Sequence, residues 1–155
     1  MKEVLVKVCS QLNKHKVEYL LIGGWAVIYH GYVRATADID LWYKPLISNF
    51  QRIIKAFEEL DVDVAELNDV IFDSKSTFLR FKISGINVEL LPTLIGGPSF
   101  SEAESRSEIL LLEDIEIPVI GYKDLIKIKQ QTDRLKDQAD IEELNKRRKK
   151  FNSGV

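Results

Sequence analysis

With 155 residues, 45% of them hydrophobic and 30% charged, the chain is long enough to bury a core and has the make-up of one ordinary globular domain. A net charge of −2 excludes a global attraction to nucleic acid or acidic membrane, so any contact with a polyanion must be a local patch. Cys9 is the single cysteine, which excludes an intrachain disulfide and makes a reducing cytoplasm the expected setting.

The elements follow from apolar spacing. Val4, Leu5, Val8 and Leu12 recur at helical intervals and predict an amphipathic helix over 2–13, with Cys9 a small core residue on its apolar side. Asn13 to Lys16 form a polar turn in which His15 is expected to be solvated. Tyr19 to Ile22 is a short apolar strand running into the Gly23-Gly24 turn, and Trp25 to Tyr29 suits a helix packed almost all round. His30 and Gly31 mark that helix's end and cap. The opening Met1-Lys2-Glu3 lacks the long apolar segment of a signal peptide, and the longest apolar run, Tyr19 to Tyr29, is too short and glycine-broken to cross a bilayer.

After a loop holding Arg34 and Thr36, a second strand runs from Asp38 to about Tyr43 and stops at Pro45. Ser48 or Asn49 is the expected cap of a helix whose apolar positions are Phe50, Ile53, Ile54, Phe57 and Leu60. Residues 61–73 suggest an edge strand or loop. Thr77 to Ile83 alternates, Ser84-Gly85 supplies a hairpin turn, and Ile86 to Leu91 returns before Pro92. Gly96-Gly97-Pro98 lies in a connector that also has the composition of a gate. A short acidic helix over 101–108 is followed by strands over 109–112 and 117–120 around Glu113-Asp114. Helices over 122–132 and 137–149 complete the chain, with Leu125, Ile126 and Ile128 expected against the sheet. The basic run Lys146 to Lys150 suits a helix C-terminus, with an RNA-contacting tail as the other reading.

The chemistry concentrates in a few residues. Strand side chains alternate, so Asp38 and Asp40 project to one side about 7 Å apart. Two carboxylates so placed repel unless a cation lies between them, and a pair of acidic oxygens suits Mg²⁺ shared with substrate phosphates. Gly23-Gly24, where a strand becomes a helix, offers free backbone N–H groups to an anion. Glu89 interrupts an otherwise aliphatic strand, where a charge is expensive without a partner. It either pairs with a lysine or arginine or adds a third carboxylate to the metal site. Two histidines in unlike contexts and one cysteine argue against zinc.

Gly23-Gly24, then Arg34-x-Thr36-x-Asp38-Ile39-Asp40-Leu41, resembles the signature of the nucleotidyltransferase superfamily with a polymerase-β-like fold. Within it, the chain looks like the small stand-alone bacterial members of the abortive-infection toxin-type and antibiotic-modifying branches. Asp124-Leu-Ile-Lys127 and Arg134-x-Lys136-Asp137-x-x-Asp140 resemble a late motif of the toxin-type branch. The resemblance implies an α/β (α+β) fold, a mixed sheet of about 5–6 strands flanked by helices with a C-terminal helix pair over 122–150, all in one domain over 1–155. It implies Asp38, Asp40 and Glu89 as catalytic and metal-binding acids holding one or two Mg²⁺ ions, with Mn²⁺ an alternative. Gly23, Gly24, Arg34, Thr36, Lys127 and Arg134 are its expected nucleotide contacts, with Asp137 and Asp140 orienting the cations or the helix turn. The activity expected is transfer of a nucleoside monophosphate from an NTP to a hydroxyl or phosphate acceptor, whether a small antibiotic, a protein hydroxyl or a tRNA end. The competing reading is a non-catalytic NTP-binding or antitoxin-like module that works by pairing with a protein partner. A metal-free structural domain is a third reading, and it leaves three clustered acids unexplained.

Overall fold

A computed structural model of the chain describes residues 1–153. The elements are α1 (Lys2–Lys14), β1 (Tyr19–Ile22), α2 (Gly23–Tyr29), β2 (Asp38–Tyr43), α3 (Ile47–Glu58), a 3₁₀ turn (Ala65–Asp69), β3 (Leu79–Ile83), β4 (Ile86–Leu91), α4 (Phe100–Ser105), β5 (Glu108–Leu112), β6 (Ile115–Val119), α5 (Tyr122–Lys129) and α6 (Leu135–Asn152). The six strands form one mixed sheet in the order β3-β4-β2-β1-β6-β5. β1 and β2 are antiparallel, whereas β2 and β4, and β1 and β6, run parallel. Among the described residues no helix is long and apolar enough to cross a membrane.

Side-chain alternation divides the central sheet into two unlike faces. Ile39 pairs with Val88, Leu41 with Leu90, Leu79 with Leu90 and Phe81 with Val88, so these apolar residues share one face. That face is dry. Phe57 of α3 stacks on Phe81 with ring centroids 3.9 Å apart, and α1 adds Val4, Leu5, Val8, Cys9 and Leu12 to the same core. The other face carries Asp38, Asp40, Asn87, Glu89 and Arg80, and the register sets Asp40 directly beside Glu89. A slip of one residue would exchange the two faces, so the buried face holds the acids in place.

Both tight hairpins use left-handed residues. Ser84 and Gly85 have φ of 49° and 80°, and Glu113 and Asp114 of 47° and 66°, as a two-residue turn that follows the strands' twist requires. Two expectations need correction and a third is narrowed. Of the edge strand or loop expected over residues 61–73, the structure shows the loop, with a 3₁₀ turn at its centre and the Ala65 N–H donating to Asp63 Oδ1 at 3.0 Å. Neither Ser48 nor Asn49 caps α3, which starts at Ile47 with no side-chain cap. Asn49 is buried, accepting from the Glu18 N–H at 2.9 Å and donating to the Glu18 and Lys44 carbonyls, so it fastens the helix to the start of β1. His15 is not a solvated loop residue, since its Nε2 lies 3.0 Å from a Glu59 carboxylate oxygen and ties the ends of α1 and α3 together.

Candidate active site

β1, α2 and β2 meet at the glycine pair. Gly23 has φ +65°, and a Cβ built there would lie 2.2 Å from the Asp40 Oδ2. A Cβ on Gly24 would lie 2.3 Å from the Thr36 Oγ1 and 3.3 Å from an Arg34 guanidinium nitrogen. The pair is therefore more than a turn: its missing side chains make room for Asp40 and Thr36. Gly23→Ala is expected to combine left-handed strain with a clash against Asp40. Nucleotide binding should be lost and the melting temperature lowered, and the check is thermal melting together with calorimetric titration by Mg²⁺-ATP.

Asp38, Asp40 and Glu89 open onto one cleft of about 630 Å³, which is also lined by Gly23, Gly24, Arg34, Lys129, Arg134 and Asp137. Burial, reinforced by the charges of Glu89 and Asp38, pushes the Asp40 carboxyl up to about 6. A hydrogen bond with Glu89 acts in the same direction, and the Lys129 charge opposes them. The remaining acids have their own partners. Asp38 accepts from Asn87 Nδ2 at 3.3 Å, and Glu89 accepts from Arg80 at 2.7 and 2.9 Å. Glu89 is thus salt-bridged to an arginine, the first of its two sequence readings, and the register sets it beside Asp40. Among the described residues no three histidine, cysteine or acidic side chains are gathered closely enough to hold an ion as they stand.

A buried ionic network forms the opposite wall. Arg34 grips Asp140 with Nε at 2.6 Å and a terminal nitrogen at 2.8 Å, a bidentate pair. Lys129 Nζ contacts Asp137 at 2.8 Å and Asp140 at 3.0 Å, with all three side chains under 10% exposed. Asp137 also accepts from Thr132 Oγ1 and Arg134 Nε. Burial alone would raise the Asp137 carboxyl, but the bonds from Lys129, Thr132 and Arg134 outweigh it and hold it at about 2. Asp140 is lowered in the same way by Arg34 and Lys129, against its burial.

Lys127 needs correction. It is exposed and does not line the cleft, whereas Lys129 is buried and does. Residues two apart on a helix point about 200° away from each other, so the two lysines cannot share a face. The overlooked signal was the i, i+4 spacing of Lys129 from buried Leu125. Arg134 lies at the cleft rim with its side chain three-quarters exposed, and Thr36 packs on Gly24. Asn87 and Arg80, which hold two of the three acids, were also missed. Arg80 faces Glu89 through the register of the Ser84-Gly85 hairpin, which local pattern could have given, whereas the Asn87–Asp38 contact comes from a parallel pairing that local pattern does not specify.

Comparison with known proteins agrees with this architecture. The family model for aminoglycoside-2''-adenylyltransferase matches residues 4–144. No curated protein sequence matches significantly. Three solved structures share the fold. TM1012 of Thermotoga maritima, assigned as a nucleotidyltransferase, superposes with a TM-score of 0.60 at 20% identity, covering 97% of this chain and 92% of that one. The lincosamide antibiotic adenylyltransferase LnuA, solved with lincomycin bound, gives 0.64 at 18% identity over 94% and 96% of the two chains. ANT(2")-Ia, in complex with adenylyl-2"-tobramycin, gives 0.55 at 11% identity over 98% and 97%. With a paired-acid strand beside a glycine turn and a family match over most of its length, the chain belongs to the aminoglycoside-2''-adenylyltransferase family and is a nucleotidyltransferase.

Proposed function

We propose that this nucleotidyltransferase moves a nucleoside monophosphate, AMP in the first instance, from an NTP to a hydroxyl of a small antibiotic-like molecule. The observation that carries this reading is the opening of Asp38, Asp40 and Glu89 onto the same cleft as the glycine pair and Arg34. The family match and the adenylyltransferases among the structural neighbours support it.

The donor set fits a hard divalent cation, because all three acids offer carboxylate oxygens and because burial, with the charges of Glu89 and Asp38, raises the Asp40 carboxyl to about 6, a crowding that a cation would relieve. Asp38, Asp40 and Glu89 would hold one or two Mg²⁺ ions, or Mn²⁺. Bound there, the cation supplies charge neutralisation for the triphosphate and for the pyrophosphate that leaves. Three of the five N–H groups of Arg34 are engaged by Asp140 and the Ala35 carbonyl, and among the described residues the other two have no partner, which leaves them for phosphate oxygens. Asp140 fixes that guanidinium before the nucleotide arrives, which reduces the ordering cost of binding. Lys129 adds positive potential behind the acids.

In the transfer, the acceptor oxygen forms a bond to the α-phosphorus as the bond from that phosphorus to the bridging oxygen breaks. Pyrophosphate departs with the bond's electron pair, and the hydroxyl proton passes to a Glu89 carboxylate oxygen, which Arg80 orients.

The test is incubation with α-labelled NTPs, Mg²⁺ and a panel of hydroxyl-bearing antibiotics, alongside calorimetry. Label should pass to an acceptor with release of pyrophosphate. Arg34→Ala should weaken NTP binding by about 1.5–3 kcal/mol, the worth of a charge-assisted contact. Lys127→Ala should bind NTP as wild type does. NTP binding that is equal with and without Mg²⁺, and no labelled product from any acceptor, would leave the non-catalytic partner-binding module as the better reading.

A further inference from the structure

The cleft's charge is unevenly spent. Its four acids are Asp38, Asp40, Glu89 and Asp137. The first three belong to the proposed metal and triphosphate site. Asp137 is closed off, because it is buried and already accepts from Lys129, Thr132 and Arg134. Beyond Arg34 and Lys129, which are already ion-paired, the charged side chains that remain in the lining are cationic: Lys75, Arg134 and Lys136. Phe78, Leu94 and Ile95 lie beside them, and Ser76, Thr93, Gln131 and Thr132 add only neutral polar groups.

Two of these apolar side chains are left in water. Phe78 is 45% exposed and Ile95 is 88% exposed, although both line the cleft. Phe78 precedes β3 by one residue and alternates with Arg80, whose guanidinium lies 5.7 Å from its ring centroid. The ring therefore stands on the acidic face, next to the salt bridge that orients Glu89. Ile95 is held out by its loop. Gly96 takes φ +69° with the Gln131 side chain packed where a Cβ would be, and the Gly97 N–H bonds the Leu94 carbonyl at 3.1 Å. Phe78 and Ile95 both line the cleft itself, and apolar lining with a few polar groups is what a small-molecule pocket presents to its ligand.

We propose that the acceptor is a hydroxyl-bearing amphiphile, with an apolar part and at most one positive charge, and that Phe78 and Ile95 bind its apolar part. The inference rests on the transferase reading above and specifies its second substrate. A polycation would bring several ammonium groups against Lys75 and Lys136, beside an Arg134 already paired with Asp137, with no unengaged carboxylate to receive them. Like charges brought together in a cleft are costly, and the mismatch selects against such a molecule. An apolar substituent instead removes Phe78 and Ile95 from water.

The experiment measures Mg²⁺-ATP binding by calorimetry, then kcat/KM over hydroxyl-bearing antibiotics graded in ammonium count, with lincomycin and tobramycin as the ends of the series. Activity should fall as ammonium count rises, with lincomycin favoured by about a hundred-fold or more, the scale set by several unpaired charge contacts. Phe78→Ala should raise KM for the amphiphile about ten-fold while the dissociation constant for Mg²⁺-ATP stays put. Lys75→Glu with Lys136→Glu should improve the use of tobramycin. Preference for tobramycin, an unchanged KM in Phe78→Ala, or Mg²⁺-ATP binding with no acceptor in the series used would overturn the inference. Failure to bind Mg²⁺-ATP at all would instead overturn the transferase reading on which it rests.

Discussion

Replacing Asp40 with asparagine is expected to lower nucleotidyl transfer by about a thousand-fold, while the metal-free protein melts at the same temperature or higher at pH 8. The loss of rate corresponds to about 4 kcal/mol, the scale of charge stabilisation that a bound divalent ion contributes to phosphoryl chemistry. The stability half follows from the Asp40 carboxyl, raised from 3.8 to about 6 by burial and by the charges of Glu89 and Asp38. A carboxyl raised in the folded state keeps a proton that the unfolded chain releases, so between about pH 4 and pH 6 stability falls as pH rises. The accumulated cost is on the order of 2–3 kcal/mol above that window. Asparagine carries no such charge. The difference in melting temperature between variant and wild type should open from pH 4 to pH 6 in the presence of EDTA and stay constant above it. Saturating Mg²⁺ should stabilise wild type alone, because only wild type keeps the full acid set. Thermal melts across pH with and without Mg²⁺ are the measurement. An Asp40→Asn protein that melts below wild type at pH 8 in EDTA would mean that Asp40 is a structural residue.

Lys129→Met is expected to lower the melting temperature at pH 7 by about 10 °C, which corresponds to about 3 kcal/mol for a domain of this size. Methionine keeps the length of the side chain but leaves the buried Asp137 and Asp140 without the cation they share at 2.8 and 3.0 Å. Arg34 and Arg134 remain as partners, which keeps the expected loss at the low end for a broken buried ion pair. The pH dependence has a definite sign. Asp137 is held at about 2 in the folded state. Its contribution is complete above the ordinary carboxylate value near 4 and is lost as pH falls through 2. Without Lys129 that depression shrinks, so acid unfolding of the variant should begin at a higher pH. Circular dichroism followed from pH 7 to pH 1.5 reads both effects. A variant within 2 °C of wild type whose acid transition is unmoved would show that the arginines carry the network without the lysine.

Much of the scaffold was legible from local pattern. The alternation of Leu79, Phe81 and Ile83 with Phe78, Arg80 and Lys82 specifies which way β3 faces, and the structure buries the first set and exposes the second. The helical spacing over α1, the hairpin at Ser84-Gly85 and the shared side of Asp38 and Asp40 were likewise readable, because strand and helix periods are properties of the backbone. The short strands around Glu113-Asp114 were found within a residue or two of their ends. Where the reading failed, the deciding contact came from elsewhere in the chain. Asn49 and His15 have the composition of a cap and a solvated turn, yet each is claimed by a distant partner, Glu18 and Glu59.

The same division holds at the site. The chain's own pattern determined the acid pair, the glycine turn and the lone charge in β4, since each depends on neighbours within a few residues. Only the tertiary structure decided what those groups do to one another. The parallel register sets Asp40 beside Glu89, 49 positions apart, and the ion pair of Arg34 with Asp140 spans 106. It also chose Lys129 over Lys127 to face the cleft. Local sequence specifies the conformation of a segment and the face that each residue occupies. The rotation of a helix about its axis and the register of non-adjacent strands are decided by burial of the whole apolar surface, a free energy that exists only once the segments have packed.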